Sequence, residues 1–361
     1  MRTNSRRPVL RTLAVGLAAA ALAVGCGSSK SSGAAGSATT TGSTGGKTLR
    51  VGYSAWPGWF PLAVAEKEGL FKKAGVNVKL TYFADYTSSL DALVAKQLDV
   101  NAQTLNDTMF AVASGSPQQI IVTGDNSTGN DQVICDKSIT TVAQLKGKTI
   151  AAELGVVDQF LLLQGLAKAG MTQSDINFQG VKTDAAAAAF AGGQFDCVAV
   201  FAPFTVQALK RPGSHTLFSS ADFPGVIPDH YVTTADDVKN SSPELQKFVN
   251  AWYLTLAWMK ANPAAANKIM AAKAGLSESD YASLAKGTTL FDAAKASHAF
   301  ADRPGDSTSL PEMARRINPF LVSSGLTKKE APLTGLLDPT FTDAYLAANP
   351  DSSMVTSTTS S

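Results

Sequence analysis

Histidine is scarce in this 361-residue chain, with three copies, and cysteine equally so. His215, His230 and His298 lie far apart in sequence, and none falls in a metal-ligand spacing such as HExxH. There is no cysteine-rich iron site and no Gly-rich phosphate loop. No metal and no other cofactor is therefore expected, and no nucleophile or acid–base constellation of the kind an enzyme needs. Long hydrophobic runs are lacking too: the apolar stretch 12–24 is too short to span a bilayer as a helix. The formal charge of +2 includes Arg2, Arg6, Arg7 and Arg11, with no acid among the first 25 residues, so the remainder is near −2, or 2 minus 4. No basic run is left to suggest nucleic acid as a partner.

What is present begins with an export signal. Four arginines followed by the apolar stretch predict a leader over residues 1–25. It closes on LAVGC, which resembles the lipobox of bacterial lipoproteins, where the signal is cut before a cysteine that then carries lipid. Gly25 fits that pattern, while Ala23 stands where leucine is usual. The resemblance implies lipid on Cys26 and a place on the outer face of the cell membrane. The alternative is an ordinary secretory signal in which Cys26 is incidental. The Gly/Ser/Thr-rich stretch over 26–47 has no apolar periodicity and predicts a flexible tether. Residues 351–361 read as a disordered polar tail.

About 300 residues remain, more than one compact core usually holds. LRVGYS alternates as a strand, PLAVAEKEGLFKKAG reads as one helix ending at Gly75, and VNVKLTYF alternates again. SSLDALVAKQLD, helical from near Leu90, leads into the strand VNAQTL. This β-α-β-α-β order predicts a largely parallel sheet with helices on its faces. The second half repeats it through GKTIAAE, VVDQFLLLQGLAKAGM, INFQGV, DAAAAAFAGGQFD and CVAVFAP. The repeat reaches the residues themselves, since Gln97-Leu98-Asp99 matches Gln194-Phe195-Asp196. Two such halves predict two α/β lobes with a cleft between the carboxyl ends of their strands. Beyond Asp236 the chain reads as mostly helical, with Trp252 and Trp258 as core residues.

The segments GYSAWPGWFPLAVAEKEGLFKKAGVNVKL, QLDVNAQTL and VAQLKGKTIAAELG resemble the lobes of periplasmic binding proteins of type II. Among these, the likeness is to receptors of nitrate/taurine/sulfonate-type ABC importers, over roughly Leu49 to Tyr345. YSAWPGWFP, TLND and DNSTGND look most like a branch associated with urea carboxylase or guanidine pathways. The resemblance implies lobe 1 over 48–124 and 230–350 with C-terminal helices, and lobe 2 over 125–229. It implies hinges around Asp125–Asp131 and Val226–Tyr231 that close on a solute, and a monomer that partners an ABC permease and its ATPase.

In that fold the ligand meets the turns that follow the strands. The turn SAWPGWFP places Tyr53, Ser54, Trp56 and Trp59 there. Later turns add Asp85, Tyr86, Asn106 and Asp107, and the crossover adds Asp125, Asn126, Ser127 and Asp131. The second lobe contributes Glu153, Asp158 and Phe204, and Asp229 lies on the way back. The set is rich in carboxylates and rings, and contains no Arg, Lys or His. Carboxylates accept N–H groups in pairs and indole faces attract cations. A small planar cation therefore suits it, guanidinium first and urea or a related amide second. The alternatives are a receptor for nitrate, taurine or an alkanesulfonate, and a thiamine-pyrimidine-related binding protein or enzyme of the same fold. Each acid could instead be only a helix N-cap, Asp85 and Ser88 among them. The fold also implies that QVIC runs antiparallel beside CVAVF, bringing Cys135 and Cys197 together as a disulfide; two buried thiols are the alternative.

Overall fold

The computed structural model describes residues 46–350. The expected leader, lipidated Cys26, most of the tether and the tail 351–361 lie outside them.

Two sheets carry the fold. The first takes β1 (Leu49–Tyr53), β2 (Val78–Tyr82), β3 (Val100–Thr104) and β4 (Gln119–Ser127). The chain then crosses to the second sheet, which takes β5 (Asp131–Cys135), β6 (Thr149–Ala152), β7 (Asn177–Gly180), β8 (Cys197–Phe201) and β9 (His215–Ser219). It returns to the first as β10 (Pro228–Thr233), joined later by the short β11 (Thr288–Leu290). The orders are β11-β4-β10-β3-β1-β2 and β7-β6-β8-β5-β9. Each contains a parallel trio, β2-β1-β3 or β7-β6-β8, with an antiparallel crossover strand beside its third member. The sheets are therefore mixed rather than mostly parallel, because each crossover strand enters the partner sheet from the opposite end.

Helices fill the connections. In the first half these are α1 (Pro61–Lys67), α2 (Leu70–Lys73), α3 (Tyr86–Val94) and α4 (Leu105–Ala113). In the second half they are α5 (Val157–Lys168), α6 (Thr183–Ala191) and α7 (Phe204–Ala208). The single helix expected over residues 61–75 is broken at Gly69, whose φ of 67° only glycine adopts cheaply. Helix α3 begins at Tyr86 rather than near Leu90, with Asp85 at its N-cap position but making no capping hydrogen bond.

The sequence repeat has a structural cause. Asp99 immediately precedes β3 and accepts the Arg50 backbone N–H at 2.7 Å, while Asp196 immediately precedes β8 and accepts that of Thr149 at 2.8 Å. Each carboxylate ties the first strand of its trio to the third. Arg50 and Lys47 also pair with Asp99, whose carboxyl is held down to about 2 against the opposing effect of burial.

The chain after β10 is helical: α8 (Ala235–Ala261), α9 (Pro263–Ala274), α10 (Glu278–Leu284), α11 (Ala293–Phe300), α12 (Leu310–Ser323) and α13 (Thr340–Ala348). Trp252 is buried against Tyr231 at 4.7 Å between ring centres, and Trp258 packs half-buried on the same core. Both are core residues.

The crossovers are clasped together. Ser220 Oγ lies 2.7 Å from Ser127 Oγ and accepts the Gly129 N–H at 2.8 Å, while Ser127 N–H donates to Ile227 O at 2.9 Å. Cys135 and Cys197 face each other in register on β5 and β8, with Cα atoms 4.1 Å apart, and are bridged. The bridge closes 62 residues of separation. Replacing both cysteines by alanine is expected to lower stability by up to about 4 kcal/mol, as loop-closure entropy returns to the unfolded chain. Urea unfolding of the two proteins measures this; equal midpoints would show that the bridge contributes nothing.

Candidate functional site

Where the carboxyl ends of the two parallel trios meet, nine side chains line a narrow cavity of about 10 Å³, room for roughly one water. Pockets for drug-sized ligands measure roughly 300–1,000 Å³, so the walls here stand nearly in contact. Trp56 and Trp59 come from the turn between β1 and α1, Tyr86 from the start of α3, and Thr104 from the end of β3. Ile227 and Asp229 flank the start of β10. The second sheet supplies Asp131 at the start of β5, Val157 at the start of α5, and Phe201 at the end of β8.

Four of these rings form a closed box. Trp56 lies 6.4 Å from Trp59, Trp59 5.5 Å from Tyr86, Tyr86 6.0 Å from Phe201, and Phe201 6.5 Å from Trp56. Three sides belong to the first sheet's turns and the fourth to the second sheet, so the box exists only when the halves meet. The Pro-Gly step sets its first corner. A Cβ on Gly58 would lie 2.0 Å from an Asp125 carboxylate oxygen, so only glycine lets the turn press onto that group. Asp125 in turn accepts the Trp56 indole N–H at 2.9 Å and orients the ring. The Trp59 indole N–H is buried without a partner.

Carboxyls surround the box. Thr104, Asp229 and Asp125 stand opposite one another across β3, β10 and β4, and paired side chains of antiparallel strands share a face. Asp131 and Asp229 line the cavity, each 1–2% exposed and with one oxygen unpartnered. Burial pushes Asp131 up to about 7. It raises Asp229 further, because Asp125 and Asp131 repel a second charge there. Asp125 is also raised by burial, against the Trp56 hydrogen bond that favours its ionised form. No lysine, arginine or histidine is among the residues lining the cavity.

A second carboxyl group sits at the junction of α4 and α5. Asp107 accepts from Tyr86 Oη at 2.8 Å, Thr104 Oγ1 at 2.7 Å and Asn106 Nδ2 at 2.7 Å, and also from the Val157 backbone N–H. Burial still lifts it to about 7. Asp158 is buried, accepts from Thr183 Oγ1, and is raised well above the usual range by its burial.

Of the residues expected at the ligand, Trp56, Trp59, Tyr86, Asp131 and Asp229 line the cavity; Asp125 and Asp107 hold Trp56 and Tyr86 from behind, and Asn106 donates to Asp107. Others are placed elsewhere. Tyr53 is not in the lining; it stands edge-on to Tyr82 at 5.4 Å and beneath Lys273. Asp85 pairs with Lys182 across the mouth of the cleft, where Glu153 accepts from the Thr87 hydroxyl and the Thr183 backbone N–H. Asn126 lines a separate groove beside Pro224 and Phe291, and Ser127 belongs to the crossover clasp. Phe204 packs behind Phe201 at 5.5 Å; Phe201 takes the cavity position because β8 ends there. His230 points away from the cavity lining, is fully buried, and is pushed down to about 3 by that burial, hence neutral.

The NMT1/THI5-like family model matches residues 56–266. A protein of Brucella abortus (strain 2308) with a provisional binding-protein name is 30% identical over 197 residues, covering 53% of this chain and 59% of its own length. An Escherichia coli (strain K12) protein, provisionally an aliphatic sulfonates-binding protein, is 28% identical over 181 residues, 49% of this chain and 56% of that one. The chain thus aligns with less than two thirds of these relatives. The alkanesulfonate-binding protein of Xanthomonas axonopodis pv. citri, solved with MOPS, superposes with a TM-score of 0.68 at 19% identity, over 81% of this chain and 98% of that one. At that identity the likeness establishes the fold: two sheets with flanking helices in the periplasmic-binding-protein arrangement.

Two outcomes follow. Asp107 and Asp131 hold protons to about pH 7 when folded but only to about pH 4 when unfolded. Between those values the folded chain binds more protons, so solute-free protein should melt higher at pH 5.5 than at pH 8. Asp99 does not oppose this, since its contribution is lost only below the unfolded value. His230 does oppose it, because the unfolded chain takes up that proton below about pH 6.5, but one histidine offsets less than the two acids together contribute. A melting temperature that is flat or rises with pH would show the cavity acids to be ionised. Gly58→Ala should displace the Asp125 carboxylate and shift the Trp56 fluorescence, whereas an unchanged spectrum would show that the turn can move aside.

Proposed function

Because the chain belongs to the NMT1/THI5-like family, we propose that it is the solute-binding subunit of an ABC importer. On this reading it captures a small nitrogenous cation, guanidinium first and urea or a related amide second, and hands it to a permease driven by an ATPase. A lipid on Cys26 and the 26–47 tether would hold it at the outer face of the cell membrane. No helix of the described residues is long and apolar enough to cross a membrane itself.

The observation that carries the reading is the box of four rings with two carboxyl groups that each keep one oxygen unpartnered, and no basic side chain in its lining. Ring faces attract a cation by about 0.5–2 kcal/mol each, more when desolvated. Carboxylates accept its N–H groups in charge-assisted bonds. The walls stand nearly in contact, so any solute has to part the two halves, a compact one by less than a long sulfonate. Residues from both sheets form the walls, so a bound solute stabilises the closed arrangement, helped by Lys182–Asp85 and Thr87–Glu153 at the mouth.

The names of the sulfonate-binding relatives favour a second reading, an anion receptor, and protonated carboxyls could donate to an anion. Calorimetry with guanidinium, urea, nitrate and taurine separates the two. We expect guanidinium to bind most tightly, and Trp56→Ala to weaken it about tenfold, or about 1.4 kcal/mol. Tight nitrate or taurine binding without a guanidinium signal would establish the anion reading instead.

A further inference from the structure

The carboxyl groups at the cavity outnumber the charges that any small cation could compensate. Asp125, Asp131 and Asp229 are each at most 2% exposed, and each has an oxygen without a hydrogen-bond partner. Asp125 and Asp229 are direct cross-strand neighbours. The groups facing Asp229 are all acidic or neutral: Asp125 on β4, Asp131 on β5, Asp107 on α4 and Tyr231 on its own strand. Asp158 faces Asp131 from α5, Glu153 acts on Asp107 and Asp158, and Tyr281 stands beyond Asp125. Isolated buried carboxylates are far too costly to keep ionised, and adjacent ones cannot both be charged without a cation between them. Without a cation beside it, the set must therefore hold protons.

We propose that the cavity takes up its cation in exchange for a proton held by the Asp125–Asp131–Asp229 set. This rests on the cation reading above and adds how the site distinguishes a cation from a neutral amide. A carboxyl O–H bond breaks as guanidinium seats against that carboxyl. The proton leaves to solvent, a carboxylate–guanidinium pair remains, and no electron changes hands. The net charge inside the box is unchanged, which is why the exchange is affordable in a desolvated space. The proton belongs to the coupled set rather than to one residue. Trp56 holds one Asp125 oxygen at 2.9 Å and so favours charge there, which leaves Asp131 and Asp229, the two acids on the cavity wall, to meet the cation. A neutral amide needs no such exchange, because protonated and ionised carboxyls can both hydrogen-bond to it.

The test is calorimetry of guanidinium chloride against the purified protein at pH 6.5, in phosphate and in Bis-Tris, which take up a proton with different heats. About one proton released per guanidinium bound is expected, and affinity that falls about tenfold per pH unit between pH 7 and 5.5. Urea should show neither effect. Asp229→Asn removes one acid from the set and should reduce the release, although the count on the unaltered protein does not depend on that variant folding. Guanidinium binding with no proton released and no pH dependence overturns the exchange and leaves the cation reading standing. No guanidinium binding at any pH overturns the cation reading, and the exchange with it.

Discussion

Carboxyl groups buried between two sheets without a basic partner are the constraint around which this molecule is arranged. Three of them, Asp125, Asp131 and Asp229, come from three different strands and converge where the chain passes between halves. Their burial is costly, so each neighbouring element supplies a partial remedy. The Trp56 indole donates to Asp125, Gly58 makes room for it, and Ser127 supports Asp131 from the crossover. Asp107, just outside, receives four donors, including a backbone N–H from the start of the opposite half's first helix. Apolar side chains would pack there at lower cost, and buried acids with shifted proton affinity cluster at functional sites.

The same junction decides how the halves are joined. Each sheet lends a strand to the other by antiparallel insertion, so β10 and β5 occupy equivalent places beside β3 and β8. The connectors run side by side and are pinned through Ser220. At the opposite side of the cleft the contacts are polar and partly exposed, Lys182 with Asp85 and Thr87 with Glu153. Exposed ion pairs contribute little, so the mouth is held far less firmly than the crossovers. A solute seated between the rings would therefore add to closure where the protein itself contributes least.

A shared fold leaves the chemistry of the cleft open. The protein from Xanthomonas axonopodis that superposes on this chain is an alkanesulfonate-binding protein, yet here the equivalent layout presents rings and acids. Fold and solute are separable because the sheets fix only where the strand ends point, while the turns after them supply the side chains.

The sequence by itself determined the local elements, their order and the internal repeat, because strand alternation and helix periodicity are short-range patterns. It also located Trp56, Trp59 and Tyr86, since a turn after a strand is a local feature with a known place in such a lobe. The match of Asp99 with Asp196 was legible for the same reason, each carboxylate serving its own three-strand unit. Only the tertiary structure decided which acids stand together. Asp85 and Asp125 look alike in sequence, but one meets Lys182 at the surface and the other is sealed behind an indole. Phe201 rather than Phe204 completes the box because β8 stops there, and strand ends are set by pairing with distant strands. The break at Gly69 is likewise a matter of where neighbouring helices must turn. Partners, burial and proton affinity depend on atoms far apart in the chain, and no pattern along it encodes their distances.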